Sequence, residues 1–195
     1  MEAVKDDPTV MSEKLKEAAK AADMIITTGG VSVGKKDIMH ESLRLMGAER
    51  IFWRVKMKPG MPTLFSAYKK TSDITATDHC ASEREIISLS GNPFGVAVSI
   101  ELLIRPALEK MMQDPSIGLK EVNGIMADNF EKGIKGRRFI RAYLENGKFH
   151  LPNGLHSNGV LSSMAGCNCL IDTKTMENQE SRSLNAGDKV GAILL

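Results

Sequence analysis

The stretch Met24-Ile25-Ile26-Thr27-Thr28-Gly29-Gly30-Val31-Ser32-Val33-Gly34 carries the first decision about the fold. Its first half is short, apolar and β-branched, the composition of a buried strand in a parallel sheet. Glycines follow at once, and a helix is predicted from about Asp37 to Met46, closed by Gly47. Strand, glycine turn and helix together form the building unit of an α/β domain. Such a turn lets the backbone approach an anion, and the helix N-terminus points free N–H groups at it. The glycine spacing fits neither the dinucleotide fingerprint nor a P-loop, because no Gly-Lys-Ser/Thr is present.

On the N-terminal side, Pro8-Thr9 opens an amphipathic helix that Asp7 or Thr9 can cap. On the C-terminal side, Ile51 to Met57 alternates as a strand, Lys58-Pro59-Gly60-Met61-Pro62 is a turn, and Thr63 to Tyr68 is a strand. Lys69 to Arg84 lacks any period and reads as a mobile loop, followed by a strand from Glu85 to Leu89. Ser90-Gly91-Asn92-Pro93 then turns into a long helix, about Phe94 to Met112, which Pro106 must kink or restart. Beyond Gln113-Asp114-Pro115 the runs shorten and Asn-Gly turns punctuate them. Asn146-Gly147 predicts a tight hairpin, and Lys189 to Leu194 a closing strand. The chain therefore divides into an α/β domain at residues 1–113 and a small β-barrel at 114–195.

The 195 residues suffice for a hydrophobic core without staples. With 26 Lys+Arg against 24 Asp+Glu, the net charge of +2 argues against nucleic-acid binding through bulk electrostatics. No apolar run is long enough to span a bilayer, and Met1 to Asp7 lacks the features of a signal peptide, so a cytoplasmic protein is expected. The odd set Cys80, Cys167 and Cys169 suits a reducing compartment and lacks zinc-ligand spacing. The four histidines likewise show no ligand spacing.

Three features point to chemistry. Asp37 either caps the helix or, with Asp6 as a second carboxylate, holds a divalent cation beside a phosphate. Arg54, Lys56 and Lys58 alternate on the predicted strand and so share a face, either a solvated edge or an oxyanion pocket. Gly91-Asn92-Pro93 forms a second strand–turn–helix corner. In an open α/β sheet two such corners lie on one edge, where ligands bind.

Taken in order, these motifs resemble one family. They are Asp6-Asp7-Pro8, Ala22 to Gly34 with Asp37, Phe52 to Pro62, Gly91-Asn92-Pro93 with Arg105 to Leu108, Gly136 to Ala142, Leu161 to Ala165, and Ala186-Gly187-Asp188. The sequence resembles the molybdopterin molybdotransferase family, called MoeA in bacteria and represented by the gephyrin E domain in animals. The resemblance implies insertion of molybdate into adenylylated molybdopterin, with Mg²⁺ and release of AMP. It also implies an incomplete MogA-like three-layer α/β domain before the barrel, and a homodimer in the full-length form. Asp37, Lys58, Arg54 and Asp6 fall on catalytic positions, with Asp6 and Asp37 as the metal carboxylates. Gly29, Gly30, Ser32, Gly34, Gly91, Asn92, Pro93, Arg141, Ser162 and Ser163 fall on substrate-binding positions.

The sequence departs from the family pattern at Ser90, Gly95, Arg54 and Met61, where proline, serine, lysine and lysine are usual. The family's N-terminal domains and the first strand and helix of its α/β domain are absent, so a C-terminal portion of a longer enzyme is expected. The alternative is a non-catalytic molybdopterin-binding or scaffolding module of the gephyrin E type. A MogA-like adenylyltransferase fits less well, because Gly91-Asn92-Pro93 and a C-terminal barrel point to the molybdotransferase branch.

Overall fold

A computed structural model describes residues 6–32, 34, 37–69, 83–131, 137–153, 159–173 and 183–195. Helix α1 (Pro8–Ala18) starts at Asp7, whose carboxylate accepts the Thr9 and Val10 N–H groups at 2.8 and 3.1 Å. Strand β1 (Met24–Thr28) and helix α2 (Met39–Met46) follow. Met39, Ser42, Leu43 and Met46 are the buried positions of α2, the 3,4,7 spacing of one helical face. Left-handed Gly47 ends it, as expected.

Strand β2 (Glu49–Trp53) is shorter than the alternation of Ile51 to Met57 suggests. Arg54 breaks it by taking a φ of +73°, a left-handed conformation uncommon outside glycine and asparagine. Two residues then form β3 (Met57–Lys58), which pairs with another sheet altogether. Arg54, Lys56 and Lys58 therefore do not share the face of one strand, which corrects the expectation drawn from their spacing.

Strands β4 (Leu64–Lys69) and β5 (Glu83–Leu89) pair antiparallel from Leu64 opposite Ser88 to Lys69 opposite Glu83. The expected loop thus contributes its ends to a hairpin, and residues 70–82, with Cys80, lie outside the described residues. The order of this mixed sheet is β1-β5-β4-β2, with only β1 and β5 parallel. Strand β1 is parallel as predicted but only half buried, since it forms one edge among the described residues and Ile26 is 44% exposed. The core under the sheet joins Leu15 and Ala19 to Ile25, Val31, Met39, Leu43, Leu64 and Ile86.

The predicted long helix exists in three pieces: α3 (Pro93–Ser99), a π-helical turn Ile100–Ile104, and α4 (Arg105–Met112). Pro106 lies where the π-helical turn gives way to α4, and the widened turn accommodates its ring and missing N–H within a continuous helix.

Five strands then close a barrel: β6 (Lys120–Met126), β7 (Arg137–Glu145), β8 (Lys148–His150), β9 (Cys169–Asp172) and β10 (Lys189–Leu194). Going round, β7 pairs with β8, β8 with β6, β6 with β10, β10 with β9, and β9 returns to β7. Closure removes the open edges that a flat sheet would expose. Ile140 and Ala142 lie opposite Ile171 and Cys169 and face the barrel core with Met126, Phe149 and Ala192. The β7–β8 hairpin turns at Asn146 and Gly147, with φ of +50° and +76°, as the Asn-Gly pair predicts.

The chain forms two compact units, one of residues 1–55 and 62–91 and one of residues 56–61 and 92–195. The second unit includes the helices from Pro93 to Met112, whereas the sequence reading groups them with residues 1–113. No helix among the described residues is long and apolar enough to cross a membrane.

Candidate functional site

In the first unit the two corners meet. Parallel pairing puts Thr28 opposite Leu89, so both strands end at the same edge. The Gly29 N–H donates to the Leu89 carbonyl at 2.9 Å. A Cβ placed on Gly91 would lie 3.4 Å from the Gly29 Cα, so the two backbones touch. Gly29 and Gly30 take φ of +89° and +68°, which only glycine adopts without strain. A loop of this kind presents backbone rather than side chain.

Asp37 closes the glycine loop. Its Oδ2 accepts the Gly34 N–H, and its own N–H donates to the Gly34 carbonyl at 3.0 Å. It does not cap α2, whose N-cap is Ile38 with no side-chain hydrogen bond. The helix instead ties back through the Met39 N–H to the Gly30 carbonyl at 3.1 Å. Capping is therefore the wrong simple reading of Asp37, and turn closure replaces it. Ser32 and Gly34 are exposed, and Val33, Lys35 and Lys36 lie outside the described residues.

Two residues that the motifs leave unassigned support this loop. The Trp53 indole N–H donates to the carbonyl of Val31, a residue 1% exposed, at 3.0 Å. The His40 ring packs edge-on against Trp53, with centroids 4.7 Å apart and planes at 85°. Burial, helped by the nearby Arg50, holds the His40 imidazole below its ordinary pKa; the Val31 carbonyl and Asp37 oppose the shift. Arg54 lies over the Trp53 ring, 4.2 Å from its centroid, and its N–H donates to the Thr63 carbonyl at 2.8 Å. Trp53 stands 22 positions after Val31, so no local sequence signal ties it to the loop.

The remaining sequence-predicted residues fall as follows. Asp6 is exposed before α1. Lys58 is exposed on β3, opposite Arg138 of β7, and the Lys58–Pro59 peptide is cis. Asn92 caps α3 by accepting the Gly95 N–H at 3.1 Å, and Pro93 occupies the first turn. Arg141 is 1% exposed, donates to the Val160 carbonyl at 3.0 Å and lies 4.1 Å from the Phe94 ring centroid. Burial lowers its pKa, with the Cys167 thiol opposing. Ser163 Oγ donates to the same Val160 carbonyl at 2.7 Å, while Ser162 is exposed. Arg141 and Ser163 thus hold the segment that presents Ser162. Asp6, Asp37, Arg54 and the glycines through Gly91 belong to the first unit; Lys58, Asn92, Pro93, Arg141 and both serines belong to the second.

Among the described residues no three His, Cys, Asp or Glu side chains gather as a ready metal site. Asp6 and Asp37 supply hard carboxylate oxygens. These suit Mg²⁺, which is commonly held by one or two carboxylates together with substrate phosphates and water.

Comparison with known proteins agrees along the whole chain. The family described as "Probable molybdopterin binding domain" matches residues 1–110, and "MoeA C-terminal region (domain IV)" matches residues 123–195. A molybdopterin molybdenumtransferase of Staphylococcus aureus (strain Mu50) is 31% identical over 97% of this chain and 42% of its own length. The enzyme of the same name from Staphylococcus epidermidis is 29% identical over 93% of this chain and 40% of its own. The solved molybdopterin biosynthesis moeA protein of Pyrococcus horikoshii shares the fold, with a TM-score of 0.67 at 22% identity over 98% of this chain and 41% of that one. The chain spans less than half the length of these relatives. With both family descriptions matched in order on an α/β sheet and a closed barrel, the chain belongs to the molybdopterin-binding domain family, in the MoeA arrangement that ends in domain IV.

Proposed function

We propose that this chain is the C-terminal portion of a molybdopterin molybdotransferase, which inserts molybdate into adenylylated molybdopterin and releases AMP in the cytoplasm. The observation that carries the reading is the meeting of the Gly29 and Gly91 corners at one sheet edge, with Asp37 closing the loop beside them. In this reading the loop backbone binds the phosphate end of the substrate. Arg54 and Lys58 bind molybdate or phosphate oxygens and offset negative charge that develops in the transition state. Arg54 in place of lysine offers a planar, bidentate fork. Asn92 and Pro93 fix the second corner, and Ser162 hydrogen-bonds the ligand from the segment held by Arg141 and Ser163.

Asp6 and Asp37 would hold Mg²⁺, which when bound polarises phosphate oxygens and neutralises their charge. The carboxylate of Asp37 has a second duty, since Oδ2 keeps the Gly34 N–H oriented. The full-length enzyme acts as a homodimer.

The test is molybdate-dependent AMP release from adenylylated molybdopterin, by this chain alone and with a complementing N-terminal fragment. AMP release in either arrangement, abolished by Asp37→Ala, supports the reading. No release in either arrangement would sink it, and retained molybdopterin binding would then favour a binding or scaffolding module.

A further inference from the structure

Beside α2 the first unit carries a cleft of about 470 Å³ whose walls include Asp37, His40, Arg44, Arg50, Leu64 and Ser66. That volume lies within the range of small-molecule sites. Arg50 of β2 and Ser66 of β4 stand directly opposite each other in the antiparallel ladder, so their side chains leave the sheet on one side. The register shifts just after Arg50, an irregularity of the kind that re-aims side chains at sheet edges. Ser66 is fully buried and its hydroxyl has no hydrogen-bond partner among the described residues. His40 Nε2 is likewise buried without a partner.

The charges of the cleft are unequal in their freedom. Arg44 is engaged by Glu41 through two hydrogen bonds of 2.8 and 2.6 Å. Arg50 is exposed and makes no ion pair among the described residues. The exposed Arg50 guanidinium and the Ser66 hydroxyl at one cavity form a donor pair suited to a planar or tetrahedral oxyanion. Asp37 at the same cleft repels a second negative charge. The fitting ligand therefore has a single oxyanion head and an uncharged or cationic remainder.

We propose that this cleft binds a small molecule through one phosphate-class oxyanion, seated on Arg50 and Ser66. The cleft adjoins the site assigned to the molybdotransferase reaction and shares Asp37 with it, but Arg50 and Ser66 have no part in that assignment. It also touches that site's supports, because His40 packs on Trp53 and Trp53 holds Val31 of the glycine loop.

The experiment titrates the chain with inorganic phosphate against chloride at matched ionic strength and follows the His40 imidazole by NMR. His40 feels the charges of Arg50 and Asp37 and shares the cleft with Glu41 and Arg44. A bound oxyanion offsets Arg50, so the His40 pKa is expected to rise on saturation. Arg50→Gln is expected to weaken phosphate about tenfold or more, and Ser66→Ala by a few-fold. Arg44→Gln, a charge change of the same size next to Glu41, is expected to leave phosphate affinity within about twofold. Equal phosphate affinity in the wild type and Arg50→Gln, or a chloride titration that reproduces the His40 shift, would overturn the proposal. Neither readout depends on AMP release, so this site and the proposed activity fail separately.

Discussion

The indole N–H of Trp53 reaches across the fold to the carbonyl of Val31, 22 positions earlier in sequence, at 3.0 Å. Val31 follows directly on Gly29 and Gly30, so one side chain outside the loop fixes the loop's backbone. Trp53→Phe keeps a ring beside His40 and Arg54 but removes the indole N–H that donates to the Val31 carbonyl. The expected loss of stability is about 0.5–1.5 kcal/mol, the net worth of one hydrogen bond. Urea unfolding measures it, and an unchanged midpoint would mean that solvent satisfies the carbonyl.

Asp37→Asn separates geometry from charge. The amide oxygen still accepts the Gly34 N–H, so amide exchange at Gly34 is expected to stay within a few-fold of wild type. AMP release by the complemented enzyme is expected to fall about a hundredfold, the scale of losing one electrostatic contact in a transition state. Full activity in this variant would reduce Asp37 to a turn-closing residue.

Gly60→Ala tests the turn after β3. A Cβ there would lie 2.7 Å from both the Met57 Cε and the Ser99 Oγ, and Gly60 has a φ of +97°. Strain and overpacking together are expected to cost about 2 kcal/mol or more. Thermal unfolding monitored by circular dichroism gives the value, and a neutral substitution would show that the turn relaxes freely.

Cys169 is fully buried in the barrel, and burial, with the neighbouring Cys167, pushes its thiol pKa up to about 12 from an ordinary 9.0. The folded state therefore keeps a proton that the unfolded state releases above pH 9, and this contribution to stability is lost as pH rises from about 9 toward 12. At pH 8, maleimide labelling resolved by mass spectrometry is expected to spare Cys169 until the protein unfolds. Labelling of native Cys169 as fast as that of half-buried Cys167 would contradict its burial.

What was legible in the sequence was mostly local. Asn146-Gly147 encodes its own turn, and the glycine run after β1 encodes its own loop, so both are found where they were predicted. Alternation from Ile51 to Met57 misleads because period-two patterning cannot register one residue whose φ changes sign, as it does at Arg54. Barrel closure through β7 and β9 depends on partners some 30 residues apart, and no local preference encodes it. The site divides in the same way. Its glycines and Asp37 announce themselves by type and spacing, whereas the partnership of Trp53, Val31 and His40 arises only from tertiary packing.

Strand β3 has only two residues, yet it belongs by pairing to Arg137 and Arg138 of the barrel strand β7 and by sequence to the span between β2 and β4. The chain consequently stitches its two units together, leaving the first after Val55, returning at Pro62 and leaving again after Gly91. A gene fragment that begins at residue 92 would therefore encode the barrel without the pair that extends it. A single cut in the sequence therefore does not excise the second unit whole.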